Sequence, residues 1–282
     1  MLYFSGKSCK QEIPMESSKV SICIPTYNGE LYIESALRSI IAQTYDNIEI
    51  IVTDDCSTDN TVSIIKSNFS DVILHLNEKR LGLVGNWNHC VSLATGKYIK
   101  LMGQDDILEP NAIELQVDSL ESDPEAVISI GHTNVINDSD EILMTRRLSR
   151  KNFCQDGKAF ARRSLWCRNI YCEPSNILYR SDIDASYDGS FIYVPDWDHD
   201  IAVSTHGKLC YVASVIMSFR ISTSSETSRL YRSDNRLMTL DQDKLISKYR
   251  KTLKISLFQY CFFKLAIRAR NIIRFVYLRL KV

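Results

Sequence analysis

The stretch VSICIPTYNGELYIESALRSIIAQTYDNIEIIVTDDCSTDNT, residues 20–61, decides the fold. It begins with a short β-rich apolar run that Pro25 stops, continues with a helical pattern over residues 30–42, and returns to an apolar strand over residues 48–53. A strand, a helix and a second strand in this order indicate a β-α-β unit with parallel strands. The alternation continues through DVILHL, WNHCVSLAT and KYIKLM. We therefore predict an α/β fold, a Rossmann-like and mostly parallel mixed sheet flanked by helices.

Polar side chains follow three of these strands at the points where the strands end. The groups are Thr26, Tyr27 and Asn28; Asp54 and Asp55; and Gln104, Asp105 and Asp106. Parallel strands have their carboxyl ends at the same edge of a sheet, and open α/β sheets bind ligands there. The three groups are therefore expected to line one crevice.

The composition describes an ordinary globular protein with an uneven charge. The chain has 282 residues, 45% of them hydrophobic, and a formal net charge of zero. Residues 244–282 contain eleven Lys or Arg and no Asp or Glu, so the preceding part is acidic. Such an asymmetry suggests that the basic tail has a partner of its own. Nine scattered cysteines predict reduced thiols and a reducing compartment, not a disulfide framework.

Four segments are expected along the chain. Residues 1–18 are too polar for a signal peptide and read as a flexible leader, and no stretch is apolar enough to span a membrane. Residues 19–240 should form one large domain with two halves, over about 19–106 and about 107–225. A helix through NAIELQVDSLES and a strand AVISIG are expected early in that second half. Residues 241–282 should form a basic amphipathic helical tail.

Three motifs together resemble the inverting glycosyltransferases of family 2, which have the A-type nucleotide-diphospho-sugar transferase fold. The opening stretch resembles their first β-α-β unit, GLVGNWNHCVSLATGKYIKLMGQDDILEP resembles their metal-binding segment, and PDWDHDIAVSTHG is similar to the stretch with their catalytic base. The match covers roughly residues 19–225. It implies that the domain over residues 19–240 is catalytic, with the donor half over about 19–106 and the acceptor half over about 107–225. The first motif, in combination, is highly specific for this family, and the other two motifs are moderately specific for it.

The resemblance implies a nucleotide site at the first two strand ends. Pro25, Thr26 and Tyr27 match the loop that holds the nucleoside, and Asp55 matches the carboxylate that accepts the imide N–H of uracil. Gln104 is expected beside them. Arg80 either approaches the pyrophosphate or uridine or remains a solvated loop charge. The competing interpretation is an ordinary turn after the first strand and a helix cap at Asp55.

The resemblance also implies a divalent metal ion, Mn²⁺ or Mg²⁺, at Asp105. This residue matches the last carboxylate of the family's Asp-x-Asp motif, and carboxylate oxygens suit hard cations. Gly103 stands where many relatives have the first Asp, and Gln104 is the middle residue. Metal affinity is therefore expected to be weak or to depend on phosphates and water. Two exposed acids near a helix start are the alternative, and the role of Asp106 stays open.

Asp196 matches the family's general base, which takes a proton from an acceptor hydroxyl during attack on the anomeric carbon with inversion. Pro195 stands where relatives often have Glu. Trp197 is expected to pack in the core or wall the sugar pocket, and Asp198 to cap a helix or face solvent. Consecutive residues cannot all face one ion, which argues against a metal triad of Asp198, His199 and Asp200.

The tail repeats apolar residues every three or four positions from Leu253 to Leu280, with Lys and Arg between them. This pattern is typical of a helix that lies on an anionic membrane face. The alternative is a terminal helix that packs on the acidic body. Nucleic acid is a third option, but the acidic body argues against a broad basic footprint.

The leading hypothesis is an inverting glycosyltransferase that moves a sugar from a nucleotide-diphosphate donor, a UDP-sugar by preference, to a hydroxyl of a glycan or lipid-linked acceptor. The expected setting is cell-surface polysaccharide synthesis, in the cytoplasm and peripheral on the inner face of the cell membrane. An inactive sugar-nucleotide-binding or scaffolding relative is the alternative, kept because of the thinned metal motif. A nucleotidyltransferase would need a Gly-rich basic loop that PTYNGEL lacks. A homo-oligomer is not decided by the sequence.

Overall fold

The computed structural model describes residues 17–221 and 235–280. Residues 1–16 of the predicted leader and the junction over 222–234 lie outside the described residues. The strands are β1 (Val20–Thr26), β2 (Ile48–Asp54), β3 (Ile73–Leu76), β4 (Tyr98–Leu101), β5 (Ile107–Leu108), β6 (Ala126–Ile136), β7 (Ile142–Arg146), β8 (Phe153–Asp156), β9 (Leu178–Arg180) and β10 (Lys208–Arg220). The helices are α1 (Ile33–Ile41), α2 (Thr61–Asn68), α3 (Gly82–Ser92), α4 (Ala112–Glu121), α5 (Gly157–Cys167), α6 (Pro195–Ser204), α7 (Asn235–Tyr249) and α8 (Leu257–Leu280), with a short 3₁₀ turn at Pro174–Asn176.

All ten strands of the described chain belong to one sheet with the order β3-β2-β1-β4-β9-β6-β10-β5, and β7 and β8 pair with β6 and β10. The first four strands are parallel to one another. Strand β9 runs antiparallel to both β4 and β6, whereas β6 and β10 are parallel. The predicted mixed α/β sheet is confirmed, and the antiparallel pairs all lie in the second half of the chain or at its junction with the first.

The hydrophobic pattern of β1 explains the two layers of helices. Val20, Ile22 and Ile24 point to a core formed with α1, α2 and α4, while Cys23 points to the opposite core with α3, α5 and α6. Successive residues of a strand face opposite sides of a sheet, so a strand covered on both faces is apolar throughout. The predicted apolar face of α1 is shorter than expected, because Leu31 and Ile41 are exposed.

The second half matches the sequence expectations in part. The predicted helix over NAIELQVDSLES is α4, and the predicted strand AVISIG is the start of the much longer β6. The segments EILMTR and SNILYR contain the short strands β7 and β9, which pair antiparallel with β6. Short strands of this kind form because the sheet supplies their partners, not because their own pattern is strong.

The tail begins as a helix that packs on the body. Leu253 lies before α8 and is fully buried, and Phe263 and Ile267 of α8 are buried among residues of α5 and α7. Asp243 of α7 binds Lys264 at 3.8 Å and Arg268 at 3.2 Å. The first half of the tail helix therefore fits the alternative of a helix docked on an acidic surface, and it leaves the opposite side of α8 uncovered.

The cysteines differ from the expectation in one place. Cys154 of β8 and Cys210 of β10 lie directly opposite each other in the antiparallel pair and are joined as a disulfide. Cys23, Cys56, Cys90, Cys172 and Cys261 are free thiols. The prediction of reduced thiols is thus wrong for this pair, because the strand register that brings the two residues together is not visible in their spacing of 56 residues.

None of the helices within 17–221 and 235–280 combines the length and the apolar character that crossing a bilayer requires.

Candidate functional site

The carboxyl ends of β1, β2 and β4 meet at one edge of the sheet, as the sequence predicts. Thr26 pairs in register with Asp54, and the backbone N–H of Asp55 donates to the Thr26 carbonyl at 2.9 Å. The backbone N–H of Met102, at the end of β4, donates to the Cys23 carbonyl at 2.8 Å. The strand directions therefore bring the three polar groups to the same rim.

Asp55 is the most heavily hydrogen-bonded carboxylate of this rim and is only 2% exposed. One oxygen accepts from the backbone N–H of Leu81 at 2.7 Å and the Asn77 amide at 3.0 Å, and the other from the backbone N–H of Gly82 at 2.9 Å and Arg80 Nε at 3.2 Å. Burial alone would raise the pKa of Asp55, but these donors and the Arg80 charge hold it below its usual value. Asp55 is therefore a fixed anion that ties the loop before α3 to the sheet.

Arg80 connects Asp55 to Tyr27. Its guanidinium lies 3.4 Å from the centre of the Tyr27 ring, in the geometry of a cation–π contact, while 51% of its side chain stays exposed. Of the two alternatives from the sequence, a freely solvated charge does not fit these contacts. Four donors already occupy the lone-pair positions of Asp55, so a ligand that donates to Asp55 has to replace one of them. Arg80 is the most exposed of the four, and its replacement would cost the fewest buried contacts.

Gln104 closes the same cluster from the end of β4. Its side-chain oxygen accepts from the Thr26 hydroxyl and from the backbone N–H of Tyr27 at 2.9 Å, and its Nε2 donates to the Tyr27 carbonyl at 3.2 Å. A Cβ at Gly29 would lie 2.5 Å from the Gln104 oxygen, so a side chain there would displace the Gln104 amide from these contacts. Pro25 precedes this turn within β1, beside Thr53. The loop after β1 is thus held by the segment that follows β4.

The two adjacent aspartates have different environments. Asp106 is 3% exposed, and its carboxylate accepts from the Ser175 hydroxyl and from the backbone N–H of Arg220 at 3.2 Å. Asp105 is partly exposed, and burial raises the pKa of its carboxyl group, which the Arg220 charge partly offsets. Asp106 is therefore an anchor that joins β4 to the second half, and Asp105 is the carboxylate that remains available to a ligand.

Gly103 leaves the space in which both carboxylates lie. A Cβ at Gly103 would be 2.8 Å from Asp106 Oδ2 and 3.1 Å from Asp105 Oδ1. The side chains of Asp105 and Asp106 thus fold back over the position where relatives have the first Asp of the motif. Within the described residues, no three His, Cys, Asp or Glu side chains are arranged to hold a metal ion.

Asp196 lies in the first turn of α6. The residue is half-buried, and its Oδ2 accepts from the Asn169 amide at 3.5 Å. Burial of the carboxyl group and the charge of Asp200 raise the pKa of Asp196 to about 7, although the backbone N–H groups of its own helical turn act in the opposite direction. A carboxylate with this pKa is suited to accept a proton near neutral pH.

The residues after Asp196 hold α6 in the core. Trp197 is 2% exposed and donates to the Ser164 hydroxyl of α5 at 2.9 Å, which confirms its predicted packing role. Asp198 is 1% exposed and binds Lys248 of α7 at 2.7 Å, so the prediction of a solvent-facing or capping acid is wrong. The sequence could not reveal Lys248 as its partner, because the two residues are 50 positions apart.

His199 and Asp200 are buried beside Asp196 and do not form a metal triad with Asp198. The His199 ring stacks on Tyr187 with 4.1 Å between ring centres, and burial lowers its pKa to about 3, so the imidazole is neutral. Asp200 Oδ1 is 3.3 Å from His199 Nδ1. Burial and the Asp198 charge raise the pKa of Asp200 well above its usual value.

Three comparisons with known proteins agree with this geometry. The sequence profile described as glycosyl transferase family 2 matches residues 21–187, more than half of the chain. The chain belongs to glycosyl transferase family 2. The profile spans the cluster around Asp55 and the Asp105–Asp106 segment, and it ends before Asp196.

Among curated proteins, this family 2 chain is 42% identical over 104 residues to an uncharacterized glycosyltransferase, RP339, of Rickettsia prowazekii, covering 37% of this chain and 32% of that protein. It is 36% identical over 104 residues to the Escherichia coli protein WfgD, a UDP-Glc:alpha-D-GlcNAc-diphosphoundecaprenol beta-1,3-glucosyltransferase, covering 36% of this chain and 41% of WfgD. The chain thus matches less than half the length of these relatives.

Among solved structures, S. aureus TarS residues 1–349 in complex with UDP-GlcNAc has a TM-score of 0.65 at 16% identity, covering 90% of this chain and 82% of that one. This likeness shows that the family 2 chain has the A-type nucleotide-sugar transferase fold.

Two buried charged residues of this family 2 chain escaped the sequence analysis. Glu173, just before the 3₁₀ turn, accepts from Arg146 through Oε1, while its Oε2 is buried with no hydrogen-bond partner among the described residues. Its charge acts on the carboxyl groups of both Asp106 and Asp196 and raises their pKa values. An acid in a loop between two irregular segments carries no pattern that would have identified it.

Lys100 is the second such residue. It is fully buried in β4, and its Nζ donates to the carbonyls of Ser175 at 2.8 Å and Ile177 at 3.1 Å. Burial lowers its pKa to about 7. The Ser175 hydroxyl donates to Asp106 and accepts from the backbone N–H of Gly103 at 2.8 Å. Together with the contacts of Lys100, these hydrogen bonds attach the Asp105–Asp106 segment to the 3₁₀ turn. A charged residue in an apolar strand pattern could have been recognised as a buried anchor.

Proposed function

We propose that this chain is an inverting glycosyltransferase that transfers a sugar from a UDP-sugar to a hydroxyl of a glycan or lipid-linked acceptor. One observation carries the proposal. The chain combines a fixed anion, Asp55, with Arg80 and Tyr27 around it, and a second aspartate, Asp196, whose pKa is about 7. Binding the nucleotide and accepting a proton require carboxylates of these two opposite kinds.

The donor nucleotide is expected at the Asp55 end. Tyr27 offers a ring for stacking on the base, and Asp55 accepts the imide N–H of uracil once Arg80 moves toward the pyrophosphate. Thr26 and Gln104 hold the loop that carries Tyr27, and Pro25 sets the turn that ends β1. This assignment rests on the family membership and on the contacts among these side chains, and the UDP-GlcNAc complex of TarS supports the choice of a UDP-sugar.

A divalent cation fits the oxygen-rich end of β4. Asp105 would hold Mn²⁺ or Mg²⁺ together with donor phosphates and water, since such ions use one or two carboxylates in sites of this kind. When bound, the ion would neutralise the charge that develops on the leaving nucleoside diphosphate. The Asp105 and Asp106 oxygens converge over Gly103, and carboxylate oxygens are the ligands that such a cation prefers.

The acceptor hydroxyl is expected beside Asp196. Its carboxylate takes the proton as the hydroxyl oxygen attacks the anomeric carbon from the face opposite the leaving group, which inverts the configuration. The charge of Glu173 contributes to the raised pKa of Asp196. The E. coli relative WfgD, whose acceptor is linked to diphosphoundecaprenol, supports a lipid-linked acceptor. We propose that the reaction belongs to polysaccharide synthesis at the inner face of the membrane.

A panel of nucleotide sugars tests the donor assignment. Any molecule that binds the folded state raises the melting temperature by mass action. UDP-sugars with Mn²⁺ should stabilise the wild-type chain, and the exposed substitution Asp71→Asn should leave that effect unchanged. Stabilisation by UDP-sugars without any turnover, in the presence of Mn²⁺ and a membrane extract, would favour the inactive binding relative. Absence of stabilisation by every nucleotide sugar would contradict the proposal.

A further inference from the structure

An exposed apolar surface lies on the side of α8 that faces away from the body. Its members come from α5 and α8, and we name them the docking face: Trp166, Leu257, Phe258, Cys261, Phe262 and Leu265. Phe258 is 81% exposed and Leu265 66%. The rings of Trp166 and Phe262 stack with 4.5 Å between their centres, so the two helices present one continuous surface. Soluble monomers rarely leave such a contiguous patch uncovered.

The docking face is not needed to attach α8 to the protein. Phe263 and Ile267, on the other side of the helix, are 3% and 1% exposed and already pack in the core. The outward positions 258, 261, 262 and 265 follow helical spacing. The helix is therefore apolar on two sides, and only one of these sides is buried against the rest of the protein.

The surroundings of the docking face are basic. Residues 157–172 and 250–271, which contain the docking face, together have ten Lys or Arg and no Asp or Glu. Lys158, Arg163, Lys251 and Lys254 are exposed among them. The groove between the two helices has a volume of about 570 Å³ and is lined by Arg162 and Arg163 beside the aromatic rings. Aromatic side chains flanked by cations are typical of surfaces that lie at the headgroup level of an anionic bilayer.

We propose that the docking face binds the surface of an anionic lipid bilayer, with Trp166, Phe258 and Phe262 inserted at the headgroup boundary and the surrounding cations against lipid phosphates. Charge decides between a bilayer and a second copy of the chain. Two copies that met through this face would bring two sets of like charges together, whereas an anionic leaflet neutralises them.

The position of the docking face has a consequence for the acceptor, and this step rests on the proposed function. Asn169 follows Trp166 by three residues, and its amide is 3.5 Å from Asp196 Oδ2. Three residues of extended chain span at most about 11 Å. The base therefore lies close to the side of the molecule that would meet the membrane. The acceptor that fits is a sugar carried on a membrane-anchored lipid, whose hydroxyl stands a short distance above the headgroups.

Flotation with vesicles tests the docking face without any donor or acceptor. The full chain is mixed with vesicles of phosphatidylcholine alone or of phosphatidylcholine with phosphatidylglycerol in equal parts. The wild type should float with the phosphatidylglycerol vesicles and lose binding in high salt. Phe258→Ser combined with Phe262→Ser should lower the partition coefficient at least about tenfold, since each phenyl ring is a large apolar anchor.

The matched control is Ile142→Ser with Leu143→Ser, because these β7 residues are 61% and 59% exposed and lie outside the docking face. The control should float like the wild type. Circular dichroism and stabilisation by UDP verify that both variants are folded. Equal flotation of the Phe variant and the wild type would overturn the proposal. So would a concentration-dependent dimer that the Phe substitutions abolish while the wild type binds no vesicles.

Transfer of a radiolabelled UDP-sugar to membrane lipids tests the acceptor class. With membranes of the source organism, label should enter the organic phase with the wild type and stay at background with Asp196→Asn. The Phe variant should lose most of this lipid labelling while it still binds UDP. Label found only in water-soluble product would refute the lipid-linked acceptor. No transfer to any acceptor would contradict the proposed function, while the flotation result would still stand by itself.

Discussion

Asp55 and Asp196 are both aspartates that follow or begin elements of the same fold, but their surroundings shift their pKa values in opposite directions. Asp55 accepts four hydrogen bonds, one of them from the charged Arg80 side chain, and its pKa is lowered despite burial. At Asp196, burial and the charge of Asp200 outweigh the helix-terminal N–H groups and raise the pKa to about 7. The number of donors aimed at a buried carboxylate, rather than its burial, thus decides whether it serves as a permanent anion or as a base.

Among the substitutions that test this difference between Asp55 and Asp196, Asp196→Asn should have the largest effect on turnover. An amide cannot accept the proton, so kcat should fall about 10²- to 10⁴-fold, while the dissociation constant for UDP should change less than about twofold. Single-turnover transfer and calorimetric titration with UDP measure the two quantities. Weakened UDP binding in this variant would remove Asp196 from the role of base.

The same variant should be more stable than the wild type at pH 8 but not at pH 4. The pKa of Asp196 is raised in the folded state, so ionisation costs folding free energy as pH rises from the unfolded value of about 3.9 through about 7. Asn carries no such cost. Melting curves at the two pH values therefore distinguish loss of the base from misfolding.

Asp55→Asn should act on binding rather than on proton transfer. The new amide group faces donors that need an acceptor, so the free energy of unfolding should fall by about 2–3 kcal/mol. The dissociation constant for UDP should rise about 10- to 100-fold, since the loop with Arg80 loses its anchor. Urea unfolding and UDP titration provide the measurements, with Asp71→Asn as the exposed control. Unchanged UDP affinity in a folded variant would exclude Asp55 from the donor site.

The pH dependence of binding and turnover should separate the two carboxylates. Turnover should decrease about tenfold per pH unit below about pH 7, because Asp196 works only when it is ionised. UDP affinity should stay nearly constant between about pH 5 and about pH 8, because the pKa of Asp55 is lowered and its charge persists. Affinity that falls together with turnover would show that one group controls both.

Glu173→Gln should give the smallest effect. The charge of Glu173 is one of the influences that raise the pKa of Asp196, together with burial and Asp200. Its removal should shift the acidic limb of the pH profile to lower pH by less than about one unit. Glu114→Gln, on the exposed side of α4, is the control and should leave the profile unchanged. A shift in the opposite direction would contradict the placement of Glu173 near Asp196.

The first half of the chain could be predicted from the sequence because its strands and helices alternate in consecutive order. The pattern of β1 and β2 fixed which residues reach the rim, and Thr26, Tyr27, Asp55, Arg80 and Gln104 are indeed in mutual contact. Their roles toward a nucleotide stay predictions.

The second half depends on partners that are distant in sequence. Asp198 meets Lys248, Asp106 meets Ser175, and Cys154 meets Cys210 across separations of 50, 69 and 56 residues. The short strand β9 forms because β4 and β6 flank it. No local periodicity records such pairings, so the burial of Asp198 and the position of Glu173 could not be derived from the sequence.

Strand β9 has a mechanical consequence. Tyr179 pairs with Ile99 of β4 on one side and with Ile128 of β6 on the other, so backbone hydrogen bonds run without a break from the first half into the second. A hinge motion between the two halves would have to break the backbone hydrogen bonds that pair β9 with β4 or β6. Ligands are therefore expected to enter and leave through rearrangement of side chains and loops such as the one around Arg80, while the continuous sheet keeps the two halves at a constant spacing.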